Sequence, residues 1–309
     1  LITWELYKDF RKGKGRIELS KKYKVKEWII RSLYSIRETA LKESLVLILS
    51  DLHFGTANFP DDFEDKFLSN LEYILNHFVV FKNIDEVILI ELGDIIDNVI
   101  HTTQRENNLE LSKAIDRARN FYRKVINLLE PDKVIYLVGN HDRGTKDPTS
   151  KHYITPSIFS SLKEEIDIYV KDKVIDFIEA KDPSMINIKD WNIVLTHGVR
   201  LRTYSNQISG LSLSRLAGEI LSLFEEYENG LVKKVEMIFM GHIHRCINYR
   251  SNGVEIFING TSHQKGFHTF NYKSEDLAQW LLTLPPKSFC IRNKKLMPTI
   301  GTAIKVWCS

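Results

Sequence analysis

Five short polar blocks, each directly following an apolar run, constrain the fold of this chain more than any other feature. The apolar runs cover residues 45–49, 87–92, 134–138, 193–195 and 235–240. The blocks that follow them are Asp51-Leu52-His53, Gly93-Asp94-Ile95-Ile96-Asp97, Gly139-Asn140-His141-Asp142, Thr196-His197-Gly198 and Gly241-His242-Ile243-His244. A short apolar run that stops at Gly or Asp predicts a buried strand ending in a loop. Because sites in open α/β sheets form beyond the carboxyl ends of strands, we expect the blocks to meet at one rim.

The residue types in these blocks indicate divalent metal ions. Carboxylates and imidazoles suit Mn²⁺, Fe²⁺ and Zn²⁺. Two such ions, roughly 3.5–4 Å apart, can clamp the attacking and leaving oxygens of a phosphoryl displacement. None of the three cysteines falls in a block, which argues against a thiolate zinc site. One block alone would be read as loop capping, but five in series favour a metal centre.

The five blocks, in this order, resemble the calcineurin-like metallophosphoesterase superfamily, which includes nucleases of the Mre11/SbcD type, phosphodiesterases and phosphatases. The resemblance runs from about residue 45 to residue 260. It implies that one ion is held by Asp51, His53, Asp94 and His244. It implies that the other is held by Asp94, Asn140, His197 and His242, so that Asp94 is shared.

The same resemblance implies the chemistry. His141 matches a histidine that is not a ligand and that protonates the leaving oxygen or steadies the transition state, and Asp142 matches an acidic residue that supports it. The nucleophile would be a hydroxide held between the two ions. We expect Mn²⁺, with Fe²⁺, Zn²⁺ and Ni²⁺ left open. Asn98 stands where the protein phosphatases carry an arginine, and Asp97 where Mre11-type nucleases carry a histidine, so the role of Asp97 stays open.

The predicted fold class is α/β, with two packed mixed β-sheets flanked by helices and a small all-α head at the N-terminus. We divide the chain into the head, residues 1–43, and a phosphoesterase domain, residues 44–309, whose C-terminal cap begins at about residue 263. Amphipathic patterns predict helices over 63–81 and 109–129. Hairpins are predicted over 168–178 and over 185–195, the latter turning at Lys189-Asp190.

The head carries twelve Lys and Arg against six Asp and Glu, an excess that suggests an anionic partner. Its pattern predicts three helices, the third over 26–43, and its apolar spacing resembles a helix-turn-helix with the turn at Lys24-Val25. Lys26 and Arg31 would face DNA, and Lys12, Lys14 and Arg16 would contact phosphates. A protein-docking head and a structural brace are the alternatives.

Four arginines in loops are candidates to hold a substrate phosphate, because a guanidinium fork suits phosphate oxygens. They are Arg105, Arg143, Arg200 and Arg202. The alternative for each is an ordinary surface arginine.

Composition narrows the class of protein. The apolar fraction is 43%, and no apolar stretch approaches the roughly 18–20 residues that a membrane span needs. No signal-peptide pattern opens the chain, and Cys246, Cys290 and Cys308 lack metal spacing, so we expect a cytoplasmic protein without a disulfide framework. The oligomeric state stays open.

The sequence therefore predicts a binuclear-metal phosphoesterase, with nucleic acid as the favoured substrate. A phosphomonoesterase acting on nucleotides or phosphoproteins is the first alternative, and a DNA-binding regulator with a structural metal site is the second. Because every predicted ligand lies at or after Asp51, we expect removal of the head to leave hydrolysis of a small phosphoester intact.

Overall fold

A six-stranded sheet forms the centre of the computed structural model of this chain. Its order is β13-β12-β1-β2-β3-β4, with β1 to β4 parallel to one another and β12 and β13 antiparallel. The strands are β1 Lys42–Leu49, β2 Asn83–Glu91, β3 Lys133–Tyr136, β4 Asp176–Glu179, β12 Ala278–Leu284 and β13 Thr302–Trp307. The segment predicted as a cap thus supplies two strands to this sheet.

A second sheet of five strands packs against the first. Its order is β10-β11-β9-β6-β5, in which β9 is parallel to both of its neighbours and the outer pairs are antiparallel. The strands are β5 Ser184–Ile188, β6 Trp191–Thr196, β9 Met237–Met240, β10 Ile247–Ser251 and β11 Val254–Ile258. Two short strands, β7 Tyr227–Glu228 and β8 Leu231–Val232, pair separately. Two packed mixed sheets confirm the predicted fold class.

Helices cover the outer faces of both sheets. Alternate residues of β1 show how the layers divide: Val46 and Ile48 lie between the sheets, whereas Leu45 and Leu47 face the helical layer. The helices are α1 Trp4–Arg11, α2 Arg16–Tyr23, α3 Glu27–Thr39, α4 Phe63–Ile74, which continues as a π-helical turn over Leu75–Val79, α5 Leu111–Leu129, α6 Thr155–Tyr169 and α7 Gly210–Phe224. Most of them pack on the first sheet, and α7 covers the second.

The first helix is part of the main core. Trp4 and Tyr7 are buried in the same apolar cluster as the helices of the body. The indole of Trp4 donates to the carbonyl of Leu128 at 2.7 Å, and the Tyr7 hydroxyl donates to the carbonyl of Lys82 at 2.6 Å. That hydroxyl also accepts from the amide of Ile84 at 2.8 Å. The boundary at residue 43 stays a prediction, but α1 packs as a brace against the body.

The structure describes residues 2–56, 59–97, 110–142, 153–169, 175–198, 210–224, 227–228, 231–232, 234–262, 277–288 and 302–307. Within these residues, no helix combines the length and the apolar character that crossing a membrane requires.

Candidate metal centre

All five polar blocks lie at the carboxyl ends of strands, as predicted. The blocks of Asp51, Asp94 and Asn140 follow the parallel neighbours β1, β2 and β3 of the first sheet. Those of His197 and His242 follow β6 and β9, parallel neighbours in the second sheet. Because the strand ends of both packed sheets point the same way, one rim receives side chains from both layers.

One group of candidate ligands consists of Asp51, His53 and His244, whose ligand atoms all lie within 4.8 Å of one another. The Nε2 atoms of His53 and His244 are 3.0 Å apart, and His244 Nε2 is 3.3 Å from Asp51 Oδ1. Two imidazole nitrogens and a carboxylate oxygen at such spacing could hold a first-row divalent ion.

A second group consists of Asp94, His197 and His242, again within 4.8 Å. His197 Nε2 is 3.0 Å from Asp94 Oδ2 and 3.0 Å from Asn140 Oδ1, so the predicted amide ligand joins this group. The other ring nitrogen, His197 Nδ1, lies 2.7 Å from the carbonyl of Leu92. A proton held on Nδ1 by that carbonyl leaves Nε2 as a ligand, a common second contact of metal-binding histidines.

The environment of the Asp94 carboxylate shows whether these residues suit metal ions. Its Oδ2 atom is buried and has no hydrogen-bond partner among the described residues, although His197 Nε2 lies 3.0 Å away. A buried carboxylate oxygen without a hydrogen bond is costly unless a cation or another donor compensates it. The donor set and this oxygen therefore fit a divalent ion. The sharing of Asp94 between two ions stays a prediction.

An uncommon backbone conformation orients the predicted ligands at the rim. Five of the seven predicted ligands have positive φ, between 49° and 68°: they are Asp51, His53, Asp94, His242 and His244. This left-handed conformation is uncommon for residues other than glycine, and such residues cluster at functional sites. The strand-end loops therefore hold a conformation that turns these side chains toward one another.

Glycine lets two of these loops touch. A Cβ atom on Gly139 would lie 2.2 Å from the amide nitrogen of Asp94 and 2.1 Å from its Oδ1 atom. A Cβ atom on Gly93, where φ is +99°, would lie 2.5 Å from the amide nitrogen of Gly139. Any side chain at either position would push apart the loops that carry Asp94 and Asn140.

The electrostatics of the rim favour cations. Burial lowers the pKa of His197, but the carboxylate of Asp94 outweighs it and raises this pKa to about 10. Burial raises the pKa of Asp94, yet the imidazoles of His197 and His141 hold it well below its usual range. The pKa of His242 is lowered by burial and by His197. The negative charge that attracts protons to His197 would equally attract metal ions, which compete with protons for the same nitrogens.

His141 has a second carboxylate partner in Asp97. Its Nδ1 atom lies 2.9 Å from Asp97 Oδ1, and its backbone amide donates to Asp94 Oδ1 at 2.7 Å. Burial lowers the pKa of His141, but Asp94 and Asp97 outweigh it and raise the pKa to about 9. The role that the sequence left open for Asp97 is thus a contact with His141. His53, Asp97 and His141 also lie within ligand distance of one another, but His141 Nδ1 is occupied by Asp97.

Asp142, predicted to support His141, joins two loops. Its fully buried carboxylate accepts hydrogen bonds from the backbone amides of Asp94 and Gly139 at 2.9 Å each, and from Ile96 at 3.2 Å. Burial and the neighbouring Asp94 raise the pKa of Asp142. These contacts make it a positioning residue for the loop of Asp94.

A buried glutamine, which sequence reasoning missed, ties Asp51 to the first sheet. Gln279 on β12 accepts from the amide of Ser50 at 3.0 Å and donates to the carbonyls of Ser50 and Gly260 at 3.2 and 3.3 Å. Ser50 in turn donates its hydroxyl to Asp51 Oδ2 at 2.5 Å. The only signal in the sequence is a lone amide within an apolar strand.

We therefore expect Gln279→Leu to weaken metal binding by roughly 10–100-fold, the usual effect of losing a residue that orients a ligand. The leucine leaves the buried amide and carbonyl of Ser50 without side-chain partners, so the loop of Asp51 loosens. Titration calorimetry with Mn²⁺ measures the change. Thr283→Val is the matched control, because this buried threonine on the same strand has a hydroxyl with no partner among the described residues. Equal Mn²⁺ affinity in both variants would contradict the assigned role.

The four arginines predicted to hold substrate, Arg105, Arg143, Arg200 and Arg202, lie outside the described residues. Two of the residues predicted to contact nucleic-acid phosphates form ion pairs within the chain: Lys12 pairs with Glu130 at 2.8 Å, and Lys14 pairs with Asp9 at 2.9 Å.

Comparison with known proteins gives a family. A family model described as calcineurin-like phosphoesterase matches residues 44–246. A comparison with curated proteins gave no match. Among solved structures, vacuolar protein sorting 29 from Cryptosporidium parvum is 14% identical, with 79% of this chain and 86% of that chain covered and a TM-score of 0.39. An archaeal phosphodiesterase is also 14% identical, with 84% of this chain and 99% of that chain covered and a TM-score of 0.38. A predicted phosphoesterase from Streptococcus pneumoniae is 12% identical, with 86% and 98% covered and a TM-score of 0.31. Likenesses this distant carry no conclusion about activity.

Proposed function

Because this chain belongs to the calcineurin-like phosphoesterase family, we propose that it is a hydrolase that cleaves phosphoester bonds with two divalent ions, and that nucleic acid is its favoured substrate. The observation that carries the proposal is the meeting of two ligand groups and His141 at one rim. Mn²⁺ is the ion that we expect, since carboxylate and amide oxygens suit it, with Fe²⁺, Zn²⁺ and Ni²⁺ as alternatives.

The chain's own residues would divide the work. Asp51, His53 and His244 would hold one ion, His197 and His242 the other, and Asp94 would contribute to both. The bound ions supply Lewis-acid activation of the phosphoester and of the attacking water. Asn140 adds an amide oxygen to the second group, beside His197.

His141 would donate a proton to the leaving oxygen. Its Nδ1 atom faces Asp97, so proton donation to a substrate would come from its Nε2 atom. Asp97, whose Oδ1 atom lies 2.9 Å from Nδ1, would favour the charged imidazole that a general acid requires. Asp97 would orient the ring and hold its charged form.

Charge is what supports a nucleic-acid substrate over a small phosphomonoester. The head has twelve basic against six acidic residues, and basic side chains such as Arg16, Lys21 and Lys26 are exposed. Such a surface suits a polyanion, whereas a nucleotide or a phosphoprotein does not need it. A regulator with a purely structural metal site would have no use for His141 beside the ions, so the enzyme is favoured over that alternative.

We expect His141→Ala to lower kcat by roughly 10²–10⁴-fold, the usual contribution of a positioned acid or base, while both ions stay bound. Asp97→Asn should lower kcat by less, since the imidazole remains. Turnover is measured with Mn²⁺ on bis(p-nitrophenyl) phosphate, and ion content by elemental analysis.

His77→Ala is the matched control, because His77 is exposed and stacks on Tyr73 in the π-helical turn after α4. A normal rate in His141→Ala, or the loss of an ion, would remove its assignment as the acid. The same assay with p-nitrophenyl phosphate and with single- and double-stranded DNA ranks the substrates: turnover of the monoester alone would establish the phosphomonoesterase alternative.

A further inference from the structure

The outer surface of α2 and α3 carries basic side chains that nothing in the described chain neutralises. Arg16, Lys21, Lys24 and Lys26 are exposed, and none forms an ion pair or a side-chain hydrogen bond with another described residue. Arg31 has only an exposed pair with Glu27, one helical turn away, which contributes little. This stretch of surface is therefore free to meet a polyanion.

Other lysines of the head are engaged internally. Lys14 and Lys22 both pair with Asp9, at 2.9 and 2.6 Å, and Tyr23 donates to the same carboxylate at 2.8 Å. Burial raises the pKa of Asp9, but these hydrogen bonds outweigh it and hold that pKa below its usual range. Two of the three phosphate contacts predicted from sequence, Lys12 and Lys14, thus serve the fold, and the free positive charge lies on α2, its turn and α3.

The two helices have the geometry for groove binding. Lys24 ends α2 in the left-handed conformation, with φ of 51°, and α3 begins three residues later. Leu19, Ile30 and Leu33 are buried between the helices and α1, which leaves Trp28 and Arg31 on the outside of α3, each 64% exposed. Helix-turn-helix proteins insert such a supported helix into a major groove, and Lys26 and Arg31 are the exposed basic residues near the N-terminus of α3.

This surface lies at the opposite end of the first sheet from the metal centre. The head contacts the body where β2 begins: the side chain of Asn83 donates to the carbonyls of Arg37 and Ala40 at 3.0 and 2.8 Å, beside the Tyr7 contacts to Lys82 and Ile84. From there β2 runs to Glu91, and Asp94 follows its carboxyl end. At ~3.3 Å per residue, the head's points of contact lie about 25–30 Å from the ligands.

We propose that the exposed face of α2 and α3 binds duplex DNA at a site separate from the metal centre. The bound duplex then anchors the enzyme, and hydrolysis takes place about 25–30 Å from the head's points of contact with the body. This second part rests on the proposed phosphoesterase function. Duplex DNA is the fitting partner because the major groove of A-form RNA is too deep and narrow to admit a helix.

The test measures binding of a 24-base-pair duplex to the full chain by fluorescence anisotropy. EDTA is present so that the DNA stays intact. The triple variant Lys24→Gln, Lys26→Gln, Arg31→Gln should raise Kd on the order of 10–100-fold and reduce the log–log salt slope by about 2.7, at ~0.9 per phosphate contact. The charge-matched control Lys66→Gln, Lys113→Gln, Lys163→Gln, on exposed positions of α4, α5 and α6, should leave Kd within about two-fold.

Equal losses in both triple variants, or no binding by the unaltered chain, would overturn the proposal, and the exposed Trp28 would then suit a protein partner. Equal competition by duplex RNA would overturn the groove assignment. Separation of the sites is checked with inorganic phosphate and Mn²⁺ in the His141→Ala variant, which should keep its ions but cleave DNA slowly. Phosphate at a concentration that inhibits hydrolysis of bis(p-nitrophenyl) phosphate by the unaltered chain should not displace the duplex. Because DNA binding is measured without turnover, its failure is distinguishable from a failure of the hydrolase proposal.

Discussion

Replacing Asp94 by asparagine is expected to abolish binding of both metal ions together and to lower kcat/KM by about 10³-fold or more. Asp94 is fully buried, and one of its oxygens accepts from the His141 amide while the other lies beside His197. Asparagine keeps the shape and the oxygen that accepts from His141, so the fold persists while the charge that balances the ions disappears. Lewis-acid stabilisation worth several kcal/mol is then lost. Elemental analysis and Mn²⁺ titration measure the result.

Asn140→Ala supplies the comparison, since its side chain approaches only the second group and should chiefly reduce occupancy of one ion. Asp116→Asn, exposed on α5 and paired with Arg119, controls for removing a carboxylate. If Asp94→Asn loses one ion and keeps the other, Asp94 belongs to a single site. The two ions would then be held by separate ligand sets.

The location of the metal rim could be predicted from sequence because it depends on strand ends. An apolar run followed by Gly or Asp marks the end of a buried strand, and parallel strands bring those ends to one edge. The turn at Lys189-Asp190 could also be predicted, because it lies between two short apolar runs. In the structure both residues have positive φ, as a two-residue turn between β5 and β6 requires. Strand ends and tight turns depend on residues that are neighbours in the sequence.

The support of the rim depends on contacts between distant residues, which a single sequence does not encode visibly. Gln279 reaches Ser50 across 229 positions, and nothing at either residue signals the other. The family resemblance implies that Asp142 supports His141, but it does not say through which contacts. In the structure its carboxylate accepts hydrogen bonds from the amides of Asp94 and Gly139.

The bounds of helices and strands were also predicted less well than the location of the rim. The predicted third helix over 26–43 ends at Thr39, because β1 starts at Lys42 and pairs there with Asn83. The hairpin predicted over 168–178 is wrong where the structure describes it: Ile168 and Tyr169 belong to α6, and β4, from Asp176, pairs in parallel with β3. Residues 170–174 of that prediction lie outside the described residues.

The largest effect on stability is expected at the first helix. Trp4→Ala should lower the free energy of unfolding by about 3–5 kcal/mol, the usual cost of removing a buried aromatic side chain. Trp4 is 1% exposed, stacks on Tyr7 at 5.4 Å and donates to the Leu128 carbonyl. Because total stabilities of domains are about 5–15 kcal/mol, adding Tyr7→Ala, or deleting residues 1–39, should unfold the body as well. This prediction is the opposite of the one made from the ligand positions alone, that the head can be removed without loss of hydrolysis.

Trp28→Ala is the matched control, since the same residue type is 64% exposed on α3 and should change stability by less than about 0.5 kcal/mol. Denaturant unfolding, followed by circular dichroism and by hydrolysis of a small phosphoester, separates the two possibilities. A brace predicts one shared transition that Trp4→Ala moves to lower denaturant for both signals. An independent head predicts two transitions, with hydrolysis unaffected by Trp4→Ala, and that outcome would restore the boundary at residue 43 as a division between separately folding units.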